Sequence, residues 1–153
     1  MHPSWRIIEP ETARQFAAMF ELRWQILRAP WDQPRGSERD EHEEHAVHAL
    51  CLDARDRPIG TGRLHRLDDA TGQIRYMAIV PQWRRKGLGS ALLAWLERRA
   101  VDTGMTHIRL DARAEYAGFY LARGYEDRGE GHMLYGEIRH RRMCKVLVGG
   151  EPP

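Results

Sequence analysis

Apolar positions recur along the chain in two periods, three-to-four and two, and the switches between them divide the sequence into elements. Trp5 to Ile8 is a short apolar-rich run that predicts a first strand, ended by Glu9-Pro10. Thr12 and Gln15 then have the spacing of a helix capping box. Phe16, Met19, Phe20, Arg23 and Leu27, with Trp24 adjoining, fall on helical spacing and predict a helix from Ala13 to Arg28 that Pro30 stops. Residues 29–45 are rich in Pro, Gly and charge and have no period, which marks a long surface loop with room for a helical turn.

A meander of strands follows: Ala46 to Asp53, a turn at Arg55-Asp56-Arg57, Ile59 to Leu67, and a turn from Asp68 to Gly72. Gln73 to Val80 is the next strand, and strict alternation puts Ile74, Tyr76 and Ala78 on one face and Met77 and Ile79 on the other, both covered. Helical spacing returns with Leu88, Ala91, Leu92, Trp95 and Leu96 and carries a helix to Val101, with Gly104 as its stop. Ile108 to Ala112 predicts a strand, Glu115 to Arg123 a short helix closed by Gly124, and Tyr125 the start of another extended segment. Met133 to Val148 forms a last strand or hairpin. These elements make one domain over residues 1–148, with 149–153 a frayed tail.

A length of 153 residues at 42% hydrophobic content suits one core and is short for two. No apolar run approaches the roughly 20 residues of a membrane span, and Met1 to Arg6 lacks the apolar core of a signal peptide, so the expectation is a cytoplasmic protein without a membrane partner. Cys51 and Cys144 lie in apolar, strand-like surroundings and read as free core residues. A net charge of +2 makes no electrostatic case for nucleic acid. Charge is clustered instead, basic at Arg84-Arg85-Lys86 and Arg139-His140-Arg141-Arg142, acidic from Glu38 to Glu44 apart from Arg39 and His42.

In Arg84-Arg85-Lys86-Gly87-Leu88-Gly89-Ser90, two glycines follow a strand and open the amphipathic helix. Unpaired N–H groups at a helix start point outward together, the helix dipole adds partial positive charge, and glycine lets a phosphate approach the backbone. With three cations directly before it, the loop suits a pyrophosphate or a nucleotide phosphate better than a lone carboxylate. It is not Gly-x-x-x-x-Gly-Lys-Ser/Thr, and Leu92 stands where the dinucleotide fingerprint needs its third glycine.

Arg84-x-x-Gly87-x-Gly89 between strand and helix resembles the phosphate loop of the GNAT N-acetyltransferases, and Ala117 to Tyr125, with Phe119-Tyr120 on a helix ending in Gly124-Tyr125, resembles that family's second hallmark. The likeness covers Ile59 to Tyr125, and the helix-loop-strand order near the N-terminus is similar to the ElaA-like branch. It implies a mixed α/β (α+β) fold, a mostly antiparallel central sheet with a splayed strand pair and helices on both faces. It implies acetyl-CoA as cosubstrate and transfer of an acetyl group to a primary amine of a small molecule or protein. The alternative is a catalytically weak acyl-CoA sensor or interaction module on the same fold.

Carried over by residue, the likeness implies that the backbone of Met77, Ala78, Ile79 and Val80 pairs with the pantetheine arm. Arg84, Arg85, Lys86, Gly87, Leu88, Gly89 and Ser90 would cradle the pyrophosphate beside Phe119, and Tyr120 would protonate the departing thiolate. Arg113 stands where many members carry an asparagine that contacts the cofactor.

For the general base, Glu41, Glu43, Glu44, His48 and His140 all compete, each set against a solvent-facing polar role. The acidic loop could attract a cationic amine, while Arg139, Arg141 and Arg142 could hold a carboxylate. His42, His45 and His48 are spaced three apart, which does not match the four-residue step of His-Glu-x-x-His, so no metal is expected. The final extended segment could pair across a homodimer, and a monomer is equally open.

Overall fold

The computed structural model describes residues 4–147. Met1 to Pro3, Val148 and the tail expected to fray at 149–153 lie outside the described residues. Seven strands form one sheet: β1 (Trp5–Ile8), β2 (Val47–Asp53), β3 (Pro58–Arg66), β4 (Thr71–Ile79), β5 (His107–Arg113), β6 (Glu126–Leu134) and β7 (Ile138–Val146), in the order β1-β2-β3-β4-β5-β7-β6. Only β4 and β5 run parallel. Helix α1 (Ala13–Leu27) covers one face, and α2 (Leu88–Asp102) with the short α3 (Ala117–Leu121) covers the other.

The local signals work as expected at both long helices. Thr12 Oγ1 accepts from the Gln15 N–H at 3.1 Å and Gln15 Oε1 accepts from the Thr12 N–H at 3.2 Å, closing the N-terminus of α1. Leu88, Leu92, Leu93 and Leu96 turn one stripe of α2 into the sheet, against Ala49, Cys51, Leu64 and Ile108. Cys51 and Cys144 are both free, and burial pushes the Cys51 thiol up to about 12. The late segment is a hairpin of β6 and β7, with β7 inserted beside β5.

One expectation fails and another is refined. The alternation assumed for β4 breaks at Tyr76, whose φ is 59°. Thr61 pairs with Ala78 while Arg63 pairs with Arg75, so β4 holds one extra residue there, a β-bulge. Arg75 and Tyr76 therefore both face α1, and Ile74, Met77 and Ile79 share the α2 face. Residues 29–45 are the second case. They contain turns at Ala29–Trp31 and Glu43–His45, and the acidic part is anchored inward by charge, with Glu38 only 4% exposed.

The bulge has a consequence for the sheet. β4 and β5 pair only from Thr71↔His107 to Gln73↔Arg109, after which β4 keeps β3 alone and β5 keeps β7 alone. From Ile74 to Ile79 one edge of β4 has no strand partner among the described residues, which is the splayed pair that the resemblance implied.

Candidate active site

At the open end of the splay, β4 runs through a turn at Pro81–Trp83 into the glycine loop. Arg85 (φ 62°) and Gly87 (φ 89°) both take left-handed backbone conformations, which curls the chain so that successive N–H groups face one concavity. Gly87 is the N-cap of α2 and brings no side-chain cap. The start of α2 is thus open where the start of α1 is closed by its own side chains. Arg84, Arg85 and Lys86 are exposed around it. Arg84 Nε also donates to the Ile79 carbonyl at 3.1 Å, and the Lys86 ammonium sits 5.2 Å from the Trp83 ring. Leu88 is fully buried and fixes the helix start to the core.

Helix α3 locks onto this loop. A Cβ on Gly89 would stand 3.4 Å from Ile79 Cδ1 and from the Phe119 ring, which places both side chains against the first turn of α2. Arg123 lies 3.8 Å over the Phe119 ring and its Nε donates to Ser90 Oγ at 3.1 Å. Tyr120 is buried between Phe119 and Tyr125, both edge-on at 5.0 and 5.6 Å. Tyr125 donates to Glu97 at 2.7 Å, and Lys145 donates to the same carboxylate at 2.9 Å, which fixes the end of α3. Burial pushes the Tyr120 phenol up to about 12, so it stays protonated across the neutral range.

The loop and its open helix terminus present N–H donors that suit an anion, and the bare edge of β4 from Ile74 to Ile79 presents unpaired backbone groups that suit an extended chain. Arg113, the departure from the family pattern, ends β5 and is cross-strand partner to His140.

The candidates for the base are scattered. Glu41 and Glu44 are exposed. Glu44 lines a depression with Phe16, Phe20 and His48 on the α1 face, away from the phosphate loop. Glu43 and His48 are not solvent-facing, which corrects the expectation for both. His48 is 4% exposed, enclosed by Phe16 and Phe20, and burial lowers its pKa. The acidic loop offers a cationic amine only Glu41 and Glu44, because Asp40 and Glu43 are already neutralised from within. Asp40 takes a two-pronged contact from Arg63 at 2.6 and 2.9 Å and a third bond from Arg75 at 3.0 Å. Glu43 bridges Arg23 and Arg63 at 3.0 Å each. Both arginines are fully buried, and Arg23, Arg63 and Arg75 crowd the Tyr76 ring at 4.2, 4.8 and 4.6 Å. The alternation of Arg63 and His65 with apolar residues in β3 was the available signal for this network.

His42 stacks on His65 at 4.2 Å rather than joining His45 and His48, and among the described residues no three potential ligands are placed to hold a metal ion. Arg141 is engaged by Asp127 at 2.9 Å, which removes it from the carboxylate-binding candidates. His140 is different: it is buried on β7, and its strand neighbours Arg113, Ile138 and Arg139 line a hollow of about 320 Å³ together with Trp31, Ala114, Glu115 and Glu137. That hollow joins the loop after α1 to the turn between β6 and β7. Trp31 had no sequence signal that pointed to this hollow.

Residues 16–125 match the model of the acetyltransferase (GNAT) family. The chain is 28% identical over 131 residues to the uncharacterized N-acetyltransferase YjcF of Bacillus subtilis (strain 168), covering 86% of this chain and 92% of that protein. Its fold is similar to Escherichia coli ElaA, with a TM-score of 0.78 at 19% identity over 92% of this chain and 97% of that one. It is similar also to an aminoglycoside 6′-N-acetyltransferase complexed with coenzyme A, with a TM-score of 0.79 at 16% identity over 97% and 99% of the two chains. No helix among the described residues is long and apolar enough to cross a membrane.

Proposed function

The chain belongs to the acetyltransferase (GNAT) family, and on that footing we propose that it moves an acetyl group from acetyl-CoA to a primary amine of a small molecule or protein, with Tyr120 as general acid and His140 as general base. The observation that carries the assignment is the uncapped start of α2 directly after the unpaired edge of β4, with Tyr120 held against the same loop through Phe119. Bound acetyl-CoA supplies an activated thioester. The backbone of Met77 to Val80 holds its arm, and the N–H groups of 87–90 with Arg84, Arg85 and Lys86 hold its phosphates.

The amine enters by the hollow on the α1 face, and His140 removes its proton. As the amine nitrogen bonds to the carbonyl carbon and the carbon–sulfur bond breaks, the Tyr120 hydroxyl gives its proton to the sulfur. A phenol pushed up to about 12 is a weak donor to a thiolate whose ordinary value is about 8.5, so the transfer gains from the charge that builds on sulfur as it leaves.

The deciding experiment adds a panel of amines to the protein with acetyl-CoA and follows free thiol. Tyr120→Phe should lower kcat about 100-fold or more while leaving CoA affinity nearly intact. Unchanged kcat removes Tyr120 as the acid, and cofactor binding without thiol release from any amine supports the sensor alternative.

A further inference from the structure

Three side chains from three strands meet on the α1 face beside the splay: Asp111 from β5, His132 from β6 and His140 from β7. The His132 and His140 rings stack with centroids 4.2 Å apart and planes 15° apart, and His132 Nδ1 lies 3.9 Å from Asp111 Oδ2. Gly131 permits the approach, since a Cβ there would stand 3.1 Å from the His140 Cβ and 3.4 Å from Asp111 Oδ1. Asp111 Oδ1 is enclosed without a hydrogen-bond partner.

Two consequences follow from this geometry. The His140 Nδ1 lies 3.1 Å from the His132 carbonyl oxygen and 3.1 Å from that of Ile138. Both oxygens can only accept, so Nδ1–H donates to them and the lone pair of the neutral ring is at Nε2. Parallel rings, moreover, cannot hydrogen-bond to one another, so no proton passes directly between them. They act on each other through charge, and two imidazolium rings so close repel strongly.

Resting on the assignment of His140 as base, we propose that His132 and Asp111 are positioning residues that act on His140 in opposite directions, His132 favouring the neutral ring whose lone pair the two carbonyls leave on Nε2 and Asp111 favouring its charged form, the stacked pair carrying one positive charge at a time. In the transfer the N–H bond of the acceptor breaks, its electron pair stays on the amine nitrogen, and an Nε2–H bond forms. The positive charge that this leaves on the stacked pair faces Asp111. The groups facing His140 are His132 from β6, Asp111 and Arg113 from β5 and Arg142 along β7. Burial, then His132, push His140 below the usual histidine range, and Asp111 opposes them.

Ring-nitrogen NMR of the full ¹⁵N-labelled chain against pH tests this without reference to activity. His140 should show hydrogen on Nδ1 at neutral pH. His132→Gln should raise the His140 midpoint by about half a pH unit or more, roughly threefold in proton affinity, and Asp111→Asn should lower it by a similar amount. The acid limb of kcat at saturating amine should move in the same two directions. A role in packing alone would not give opposite signs. Hydrogen on Nε2, or a midpoint unmoved by His132→Gln, overturns the proposal. If the tautomer and both shifts appear while His140→Gln leaves kcat unchanged, the coupled pair stands and the base assignment falls.

Discussion

On the face covered by α2, Leu88, Leu92, Leu93 and Leu96 lie against Ala49, Cys51, Leu64 and Ile108, whereas on the face covered by α1 the fully buried groups include the guanidiniums of Arg23 and Arg63. The α2 face gains its stability from apolar area, in increments that tolerate small errors. The α1 face is stable only as a complete set, because each buried charge that loses its partner carries an uncompensated desolvation cost. The division also follows function. The apolar face carries the glycine loop and Tyr120, to which the proposed function assigns phosphate binding and proton donation, and both roles need a rigid frame. The charged face holds Tyr76 in a left-handed conformation at the bulge, and the strand opens beside it.

The largest expected effect breaks the charged set at one member. Arg63→Leu leaves Asp40 with Arg75 alone and Glu43 with Arg23 alone, and should cost about 3–5 kcal/mol in urea unfolding. Leu92→Ala on the opposite face should cost about 3 kcal/mol, from lost transfer energy and cavity. The double change Arg63→Leu with Asp40→Leu removes both charges and should recover part of the first loss. An Arg63→Leu protein within about 1 kcal/mol of the parent would mean the α1 face is not a cooperative set.

Acid should separate the two faces next. Burial lowers His65 to about 4, and His48 shifts in the same direction. A histidine whose folded value is depressed gives its full stability above its unfolded value of about 6.5 and loses it as pH falls toward the folded value. For His65 alone that is about 2 kcal/mol between pH 7 and pH 5. Asp40 and Glu43, despite the upward push of burial, are held below the usual carboxylate range by the arginines around them. Their contribution is present above about pH 4 and is lost below it, so both groups act in the same direction. Urea midpoints should therefore fall from pH 7 to 5 and fall again below 4. A midpoint flat from pH 7 to 5 would show that His65 is not held neutral.

What the sequence revealed divides along the same line. The α2 face was legible because its signals are local: a three-four apolar stripe, glycines at 87 and 89, and Phe119-Tyr120 closed by Gly124 each lie within a few residues of what they determine. The α1 face was not, because its partners are distant in the chain. Asp40 finds Arg63 and Arg75, and alternation extrapolated through Tyr76 missed a bulge that those same charges surround. His140 was nameable as a candidate, but its tautomer depends on carbonyls of His132 and Ile138, and its neighbour Asp111 comes from another strand.

The smallest effect on stability is expected at Gly87, and it sharpens the functional side of the comparison. Its φ of 89° is costly for a side chain, yet a Cβ there would meet nothing within 4 Å. Gly87→Ala should therefore cost only about 1 kcal/mol, purely from backbone conformation. In the proposed binding mode the same open space is where a phosphate approaches the N–H groups of the helix start, so the methyl group should weaken CoA about 10-fold, with kcat at saturation little changed. Gly87→Asn tests the distinction, since asparagine tolerates the left-handed region better but carries a larger side chain. It should recover stability relative to Gly87→Ala and bind CoA no better. If affinity instead returned with stability, the loss would lie in the fold of the loop, and the space at Gly87 would not be the phosphate's path.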